Sequence, residues 1–329
     1  MTKRYLLALL FFTQSIVSCS APDDVDPLPS WNNGSSRDSI IAFVEAVTDK
    51  ANANHVPVIE RIAVFDNDGT LWSEQPLYFQ LYYALAQIEN AAPAHPEWSD
   101  QEPFKTALAG DRDDILALGT KGLVEIVLAT HSGMTNAEFR QSVQGWIASA
   151  EHPTTHRAYS QMIFQPMLEL LNYLRANDFA VYIVSGGGVE FMRAWAGNVY
   201  GVPPENTIGS DLGIEFEETE SGPVLRRLPE LNFINDGPGK PVGIQRAIGA
   251  RPIFAFGNSD GDLQMLQWTA AGDGMSFVGI VHHTDADREW AYDRASHLGK
   301  LDKALDEGRD RGWTIVDMSS EWAVIYPPE

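Results

Sequence analysis

The order of segments along the chain predicts an α/β fold, a parallel-sheet core interrupted by an all-helical insertion. Three observations carry that expectation. Short β-branched runs alternate with amphipathic stretches, which implies right-handed crossovers between parallel strands. Roughly 80–90 residues between Leu71 and Tyr159 show helical periodicity without a strong strand pattern. Three predicted strands run into polar, glycine-bearing loops, and such loops collect at one edge of a parallel sheet.

Ser39 to Asn52 reads as an amphipathic helix covering a sheet edge, and Arg61 to Phe65 as the first core strand. A helix follows over Gln75 to Glu89, with Leu77, Leu81, Leu85 and Ile88 at helical spacing. Tyr78, Phe79, Tyr82 and Tyr83 widen that face and are read as core. Pro93, Pro96 and Pro103 then break the chain, and shorter helices are expected over 104–108, 113–118 and 122–130. Thr135 and Glu138 make a capping box that opens a helix through Ala148. The α/β pattern resumes with a helix over Gln161 to Asn177, a strand over Ala180 to Val184 and a helix over Val189 to Tyr200. Residues 211–234 read as a hairpin turning at Glu220-Ser221-Gly222-Pro223. Lys240 opens a helix to Ile248, and strands follow over Pro252 to Phe256 and Met275 to Val281. Trp290, Trp313 and Trp322 are expected to pin the C-terminal segment to the core.

The 329-residue chain is 44% hydrophobic and 21% charged, ordinary for a folded globular protein. No repeat of about 20–50 residues is visible, which argues against a solenoid. A formal net charge of -22 disfavours nucleic acid and anionic membrane surfaces as general partners. It also opposes an anionic substrate, so a phosphate ligand has to be recruited by local cations.

At the N-terminus, Lys3 and Arg4 form a positive region, and Tyr5 to Phe12 is an apolar run too short to span a bilayer. Ile16-Val17-Ser18-Cys19 follows and resembles a bacterial lipobox, which implies lipidation of Cys19 and a membrane anchor. Cys19 is the only cysteine, so no disulfide forms within the chain. An ordinary secretory signal is the alternative reading. Ser20 after the cysteine points to the outer membrane, and the expected location is the bacterial cell envelope, facing the periplasm. The expected organisation is a signal peptide over 1–18, a tether over 19–38, an α/β core over 39–71 and 160–329, and a helical cap over 72–159.

The most informative stretch is Ala63-Val64-Phe65-Asp66-Asn67-Asp68-Gly69-Thr70-Leu71. A buried strand delivers two aspartates, one residue apart, onto a glycine turn. Carboxylates so close repel unless a cation lies between them. The economical reading is a divalent metal site with an aspartate nucleophile beside it. A calcium loop would need glutamate at its twelfth position, where Leu77 stands. Ser185-Gly186-Gly187-Gly188 ends the second strand and suits close approach of backbone amides to an anion. Gly257-Asn258-Ser259-Asp260-Gly261-Asp262 ends the third.

These blocks, with Lys240 between the last two, resemble the haloacid dehalogenase superfamily of phosphatases, in order and spacing, from about residue 61 to 281. The resemblance implies a Rossmann-like core and, from the position of the insertion, a cap like that of phosphoserine-phosphatase-type members. It implies that Asp66 is the nucleophile and Asp68 the general acid and base, its backbone carbonyl also reaching the metal. Ser185, Gly186 and Gly187 would hold phosphoryl oxygens, and Lys240 would neutralise nucleophile and phosphate together. The implied cofactor is Mg²⁺ on Asp66, Asp68, Asn258 and Asp262, with Asp260 a further candidate. Many relatives carry aspartate where this chain has Asn258, which can offer an amide oxygen but no charge. The expected activity is hydrolysis of a small phosphorylated metabolite. Two alternatives stay open, a non-catalytic envelope protein that uses the scaffold for binding and phosphoryl transfer to an alcohol.

Other polar residues have plainer readings. Glu74, just past the first loop, and His131 are candidate specificity residues. His131-Ser132 is no nucleophile pair, since no strained elbow surrounds the serine. His282 and His283, trailed by Asp285 and Asp287, border the expected active edge or satisfy local hydrogen bonds. The substrate and the oligomeric state are not written in the sequence.

Overall fold

The structure is a computed structural model, described here over residues 26–328. The signal peptide expected over 1–18, Cys19 and the first part of the tether lie outside the described residues. From Leu28 onward the expected tether is packed: Leu28 and Trp31 are buried, and Trp31 sits edge-on to Trp322 with ring centroids 5.9 Å apart. Hydrogen bonds from Ser30 to Glu169 and from the Trp31 indole to the Pro166 carbonyl hold it there as well.

The chain opens with α1 (Ser35–Thr48) and enters the sheet at β1 (Ile62–Phe65). Five helices then intervene: α2 (Phe79–Ala91), α3 (Phe104–Ala109), α4 (Arg112–Ala117), α5 (Gly119–His131) and α6 (Asn136–Ile147). The alternating part resumes with α7 (Gln165–Ala176), β2 (Ala180–Gly188), α8 (Val189–Arg193) and α9 (Ala196–Tyr200). A long hairpin follows, β3 (Thr207–Thr219) and β4 (Gly222–Phe233). Then come α10 (Gly239–Ile248), β5 (Phe254–Gly257), α11 (Leu263–Ala270), β6 (Phe277–His282), α12 (Lys303–Arg311), β7 (Thr314–Asp317) and α13 (Met318–Glu321).

Among the described residues the strands form one seven-stranded sheet in the order β4-β3-β2-β1-β5-β6-β7. All neighbours are parallel except the β3–β4 hairpin. The mostly parallel α/β sheet expected from the sequence is therefore present. β7 and α12 were not foreseen, because Thr314–Asp317 is four residues long and offers too little pattern to separate from a loop. The single helix expected over 189–200 is two, since the chain leaves helical geometry at Trp195.

Period-two alternation sends the strand residues to two cores. Ala63, Phe65, Phe254, Phe256 and Phe277 face one, and Ile62, Val64, Ala255, Val278 and Ile280 face the other. On the first face Phe254 and Phe277 stack at 4.7 Å between ring centroids. Phe65 and Phe256 lie parallel at 6.2 Å.

The inserted helices bring a small core of their own, Ala84, Ile88, Trp98, Ala107 and Ile126. Phe79 and Tyr83 are fully buried, as their helical spacing implied, and the Tyr83 hydroxyl donates to Ser142 at 3.0 Å. The capping box at α6 forms, with Thr135 and Glu138 each accepting from the other's backbone amide. Strand β4 is stitched to this region. Arg227 exchanges backbone bonds with Gly133 and Met134 and lays its guanidinium over the Phe139 ring at 4.2 Å.

Gly279 of β6 tests the packing of the first core. A Cβ there would lie 2.2 Å from the Phe256 ring, whereas one at Gly274 would meet nothing within 4 Å. Gly279→Ala should cost about 1–3 kcal/mol by overpacking. Gly274→Ala should stay within about 0.5 kcal/mol of the parent. Chemical denaturation of the two variants checks the contrast.

Candidate active site

Strand β1 ends at Phe65, and the N–H of Asp66 donates to the Phe256 carbonyl at 3.0 Å. That bond seats Asp66 between β1 and β5, where the strand order reverses. Open α/β sheets hold their ligands in such a crevice.

Lys240, at the start of α10, is buried beside it. Its ammonium donates to Asp66 Oδ1 at 2.5 Å, Asp262 Oδ1 at 2.6 Å and the Val184 carbonyl at 2.9 Å. Three N–H donors thus have three acceptors. Burial alone would lower the Lys240 pKa, but Asp262 and Asp66 outweigh it and raise it. Burial and Asp262 push the Asp66 carboxyl well up, while Lys240 opposes them.

Asp262 reaches the site with both oxygens committed. Oδ1 holds Lys240, and Oδ2 accepts from the Asn258 and Ser259 amides at 3.0 Å each and from the Ser259 hydroxyl at 3.2 Å. Asp262 therefore shapes the loop after β5. Asp260 turns elsewhere, its Oδ1 accepting from the Asp302 and Ala304 amides at the start of α12 at 3.0 and 2.9 Å.

Asp68 is half-buried. Its Oδ1 accepts from the Trp72 indole at 2.8 Å and its Oδ2 from the Ser185 hydroxyl at 3.5 Å. Burial raises its pKa above the ordinary carboxylate value, and Trp72 and Lys240 only partly counter it. A raised pKa suits a group that must carry a proton.

Strand β2 continues through Gly188 instead of stopping at Val184. The Gly187 amide donates to Ser185 Oγ at 3.0 Å and the Gly188 amide to Gln80 Oε1 at 2.7 Å. Asn235 Nδ2 holds the Ser185 carbonyl at 2.9 Å. Ser185, Gly186 and Gly187 are thus at the edge of the crevice, but the Gly187 amide is turned to its own chain.

Glu74 was expected to overhang the site; it is buried beneath it. Its Oε1 accepts from Asn258 Nδ2 at 2.7 Å and from the Tyr292 hydroxyl at 2.8 Å. Gly69 makes room for this, with φ at 73° and only 2.0 Å between a built Cβ and Asn258 Nδ2. Burial pushes the Glu74 carboxyl well up; Tyr292 lowers it and the nearby Asp68 and Asp66 raise it further.

His131 is also buried, one layer behind Gln80, with their Nε2 atoms 3.1 Å apart. The Thr130 hydroxyl donates to the Ile126 carbonyl, so His131 Nδ1–H donates to Thr130 at 2.8 Å and Nε2 accepts from Gln80. Burial, with Arg227 beside it, lowers the His131 pKa to about 3. His283 supports the first loop, its Nε2 2.7 Å from the Gly69 carbonyl and its ring stacked on Tyr292 at 4.3 Å. His282 lies 3.4 Å from Asp293. Trp72, Gln80, Asn235 and Tyr292 escaped the sequence reading. Trp72 alone had a signal, its place directly after the first loop.

A sequence profile of the haloacid dehalogenase-like hydrolases matches residues 63–267, a span holding Asp66, Asp68, Ser185, Lys240 and Asp262. The chain belongs to this hydrolase family. A solved structure of a conserved, functionally unknown protein from Anaerococcus prevotii DSM 20548 is similar at 17% identity, covering 85% of this chain and 91% of that one with a TM-score of 0.52. One from Bordetella pertussis Tohama I, also of unknown function, matches at 14% identity over 79% of this chain and 99% of its own, with a TM-score of 0.48. A probable phosphoserine phosphatase from Vibrio cholerae matches at 15% identity over 75% of this chain and 64% of its own, with a TM-score of 0.38. No curated protein matched the chain.

Haloacid dehalogenase-type phosphatases generally use Mg²⁺, and the donor set here fits such an ion. Among the described residues no group of three or more His, Cys, Asp or Glu side chains forms a metal cage. Mg²⁺ needs no such cage, since it keeps several waters and takes one or two carboxylates with neutral oxygens. The charge balance points the same way. Lys240 bonds Asp66 and Asp262 and acts on Asp68 through space, while Glu74 is coupled to Asp68 and Asp66, so four carboxyl groups lie close together with one ammonium among them. A divalent cation relieves that excess.

His131 yields a pH test. A histidine held neutral by burial stabilises the fold above its unfolded pKa of 6.5, and that stability is lost as pH falls toward about 3. The slope is at most about 1.4 kcal/mol per pH unit. His131→Asn should be less stable at pH 7 yet lose about 1–2 kcal/mol less than the parent between pH 6.5 and 5. Urea denaturation at each pH measures this, and equal losses would contradict a buried neutral imidazole.

Proposed function

We propose that this hydrolase is a Mg²⁺-dependent phosphomonoesterase that works through an aspartyl-phosphate on Asp66. One observation carries the reading: Lys240 holds Asp66 Oδ1 at 2.5 Å in the switch-point crevice, with the raised-pKa Asp68 two residues on. The ion would be held by the Asp66 carboxylate, the Asn258 amide oxygen and the Asp68 backbone carbonyl. When bound it supplies positive charge that offsets the phosphate dianion.

In the first half-reaction a carboxylate oxygen of Asp66 attacks phosphorus and the bond to the ester oxygen breaks. Protonated Asp68 gives its proton to the leaving alkoxide. In the second, Asp68 takes a proton from water, the hydroxide attacks phosphorus, and Asp66 and inorganic phosphate are released. The Trp72 indole and the Ser185 hydroxyl hold the two Asp68 oxygens through both steps. Lys240 stays bonded to Asp66 and Asp262 and balances charge on the nucleophile side.

The substrate in this reading is a small phosphorylated metabolite. The helices between β1 and β2 act as a cap that limits access and excludes water. Lipidation at Cys19 would hold the enzyme at the envelope, facing the periplasm, with the region before Leu28 as the tether. A net charge of -22 makes the local cations decisive, since the field of the whole chain repels a phosphate.

Asp66→Asn should cut turnover of an aryl phosphate on the order of a thousandfold or more while the circular dichroism spectrum stays that of the parent. Retained turnover would exclude the covalent route. Separately, EDTA should abolish activity and added Mg²⁺ restore it; activity indifferent to chelation removes the metal from the mechanism. A parent chain that turns over no phosphate ester in excess Mg²⁺ would favour a binding protein on the same scaffold.

A further inference from the structure

Resting on the metal assignment above, we propose that Glu74 is a positioning residue of the metal site: it fixes the Asn258 amide and supplies, from behind it, the negative charge that an amide ligand lacks.

The geometry around Glu74 is built for one orientation. Its carboxylate is 2% exposed, and its Oε1 receives Asn258 Nδ2 at 2.7 Å and the Tyr292 hydroxyl at 2.8 Å. Two glycines from distant parts of the chain are cleared around that same oxygen. A built Cβ would lie 2.4 Å from it at Gly69 and 1.8 Å at Gly299, and both glycines have positive φ, 73° and 61°. Both hydrogen-bond donors to Glu74 are neutral groups. Burying a carboxylate on neutral donors is costly unless a cation lies close by. Lys240 does not meet that need for Glu74, because its three donors are taken by Asp66, Asp262 and Val184.

Asn258 connects the two. An anion on the amide nitrogen pulls the N–H bond toward itself and shifts electron density onto Oδ1, which makes the amide oxygen a better ligand. Asn258 Oδ1 accepts one hydrogen bond, from Thr70 at 3.2 Å, and a carbonyl oxygen has a second lone pair to give. The bond to Glu74 also settles which way the amide faces, with nitrogen toward the carboxylate and oxygen toward Thr70. Glu74 thus acts through Asn258 and is not itself assigned as a ligand.

Titrating the full-length chain with Mg²⁺ by calorimetry tests this without reference to turnover. Glu74→Gln should weaken Mg²⁺ binding about 10–100-fold, the usual cost of losing an outer-shell partner. Adding Asn258→Asp to that variant moves the charge forward by one residue and should recover most of the loss. A merely structural glutamate would not be rescued by a second substitution that leaves the change at position 74 in place. Asn258→Asp alone sets two carboxylates together; it should lower the Tm of the metal-free chain and enlarge the rise in Tm on adding Mg²⁺. Equal Mg²⁺ affinity in the parent and Glu74→Gln, absence of rescue, or an Asn258→Asp variant with the parent's Tm and Mg²⁺ response would each overturn the role of Glu74 alone. A parent chain that binds no Mg²⁺ overturns the metal assignment and this inference with it.

Discussion

The site depends on one buried ammonium. Lys240 joins the end of β1, the middle of β2 and the loop after β5 through Asp66, the Val184 carbonyl and Asp262. Taking a lysine and two aspartates out of water is expensive, and apolar residues of similar volume are often as stable or more so. Stability is therefore a poor reason for this cluster. Its geometric effect is a better one: every donor of the ammonium has a fixed acceptor, so the Asp66 oxygen is held without relying on a flexible side chain. In the proposed mechanism, a nucleophile held this way has little orientation left to lose.

Topology explains why those segments meet. β1 pairs with β2 on one side and β5 on the other, so a residue just past β1 faces the loops of both neighbours. An insertion between the end of β1 and the crossover helix α7 leaves and returns at that same edge, since α7 then carries the chain back to the start of parallel β2. The helices α2–α6 are thus brought to the site by connectivity, before any side chain is considered. Gln80 of α2 shows the consequence, its amide oxygen accepting from Gly188 at the end of β2 at 2.7 Å.

Much of this was legible in the chain. The strands β1, β2, β5 and β6 were marked by short apolar runs, the first three ending in glycine-bearing loops, and Asp66, Asp68, Ser185, Lys240 and Asp262 stood at the ends of those expected elements. Short range and strong pattern made them readable. What a side chain does with its second oxygen is another matter. Asp262 was legible as an acidic residue at the site, but not that two amides and a hydroxyl of its own loop bond its Oδ2. Glu74 was read as a candidate specificity residue because it lies just past the first loop. Its burial is decided by Tyr292 and Gly299, more than 200 residues away, and no local pattern records such a meeting. The packing of Leu28 and Trp31 was hidden by their polar, Pro-rich neighbours.

The same long-range ties bear on how the inserted helices can move. Arg227 of β4 donates to the His131 carbonyl at 2.6 Å, His131 meets Gln80, and Gln80 holds Gly188. Hairpin, insertion and the glycine end of β2 therefore form one chain of hydrogen bonds across three elements. A rigid swing of the insertion away from the sheet must break the Gln80–Gly188 bond or carry the hairpin with it. β4 is an edge strand, but β3 pairs with β2, so carrying the hairpin along would also break the β2–β3 pairing at Thr207, Ile208 and Ser210. The insertion is thus tied to the sheet at two places, the hairpin through Arg227 and the glycine-bearing end of β2 through Gln80, and the second of these borders the site.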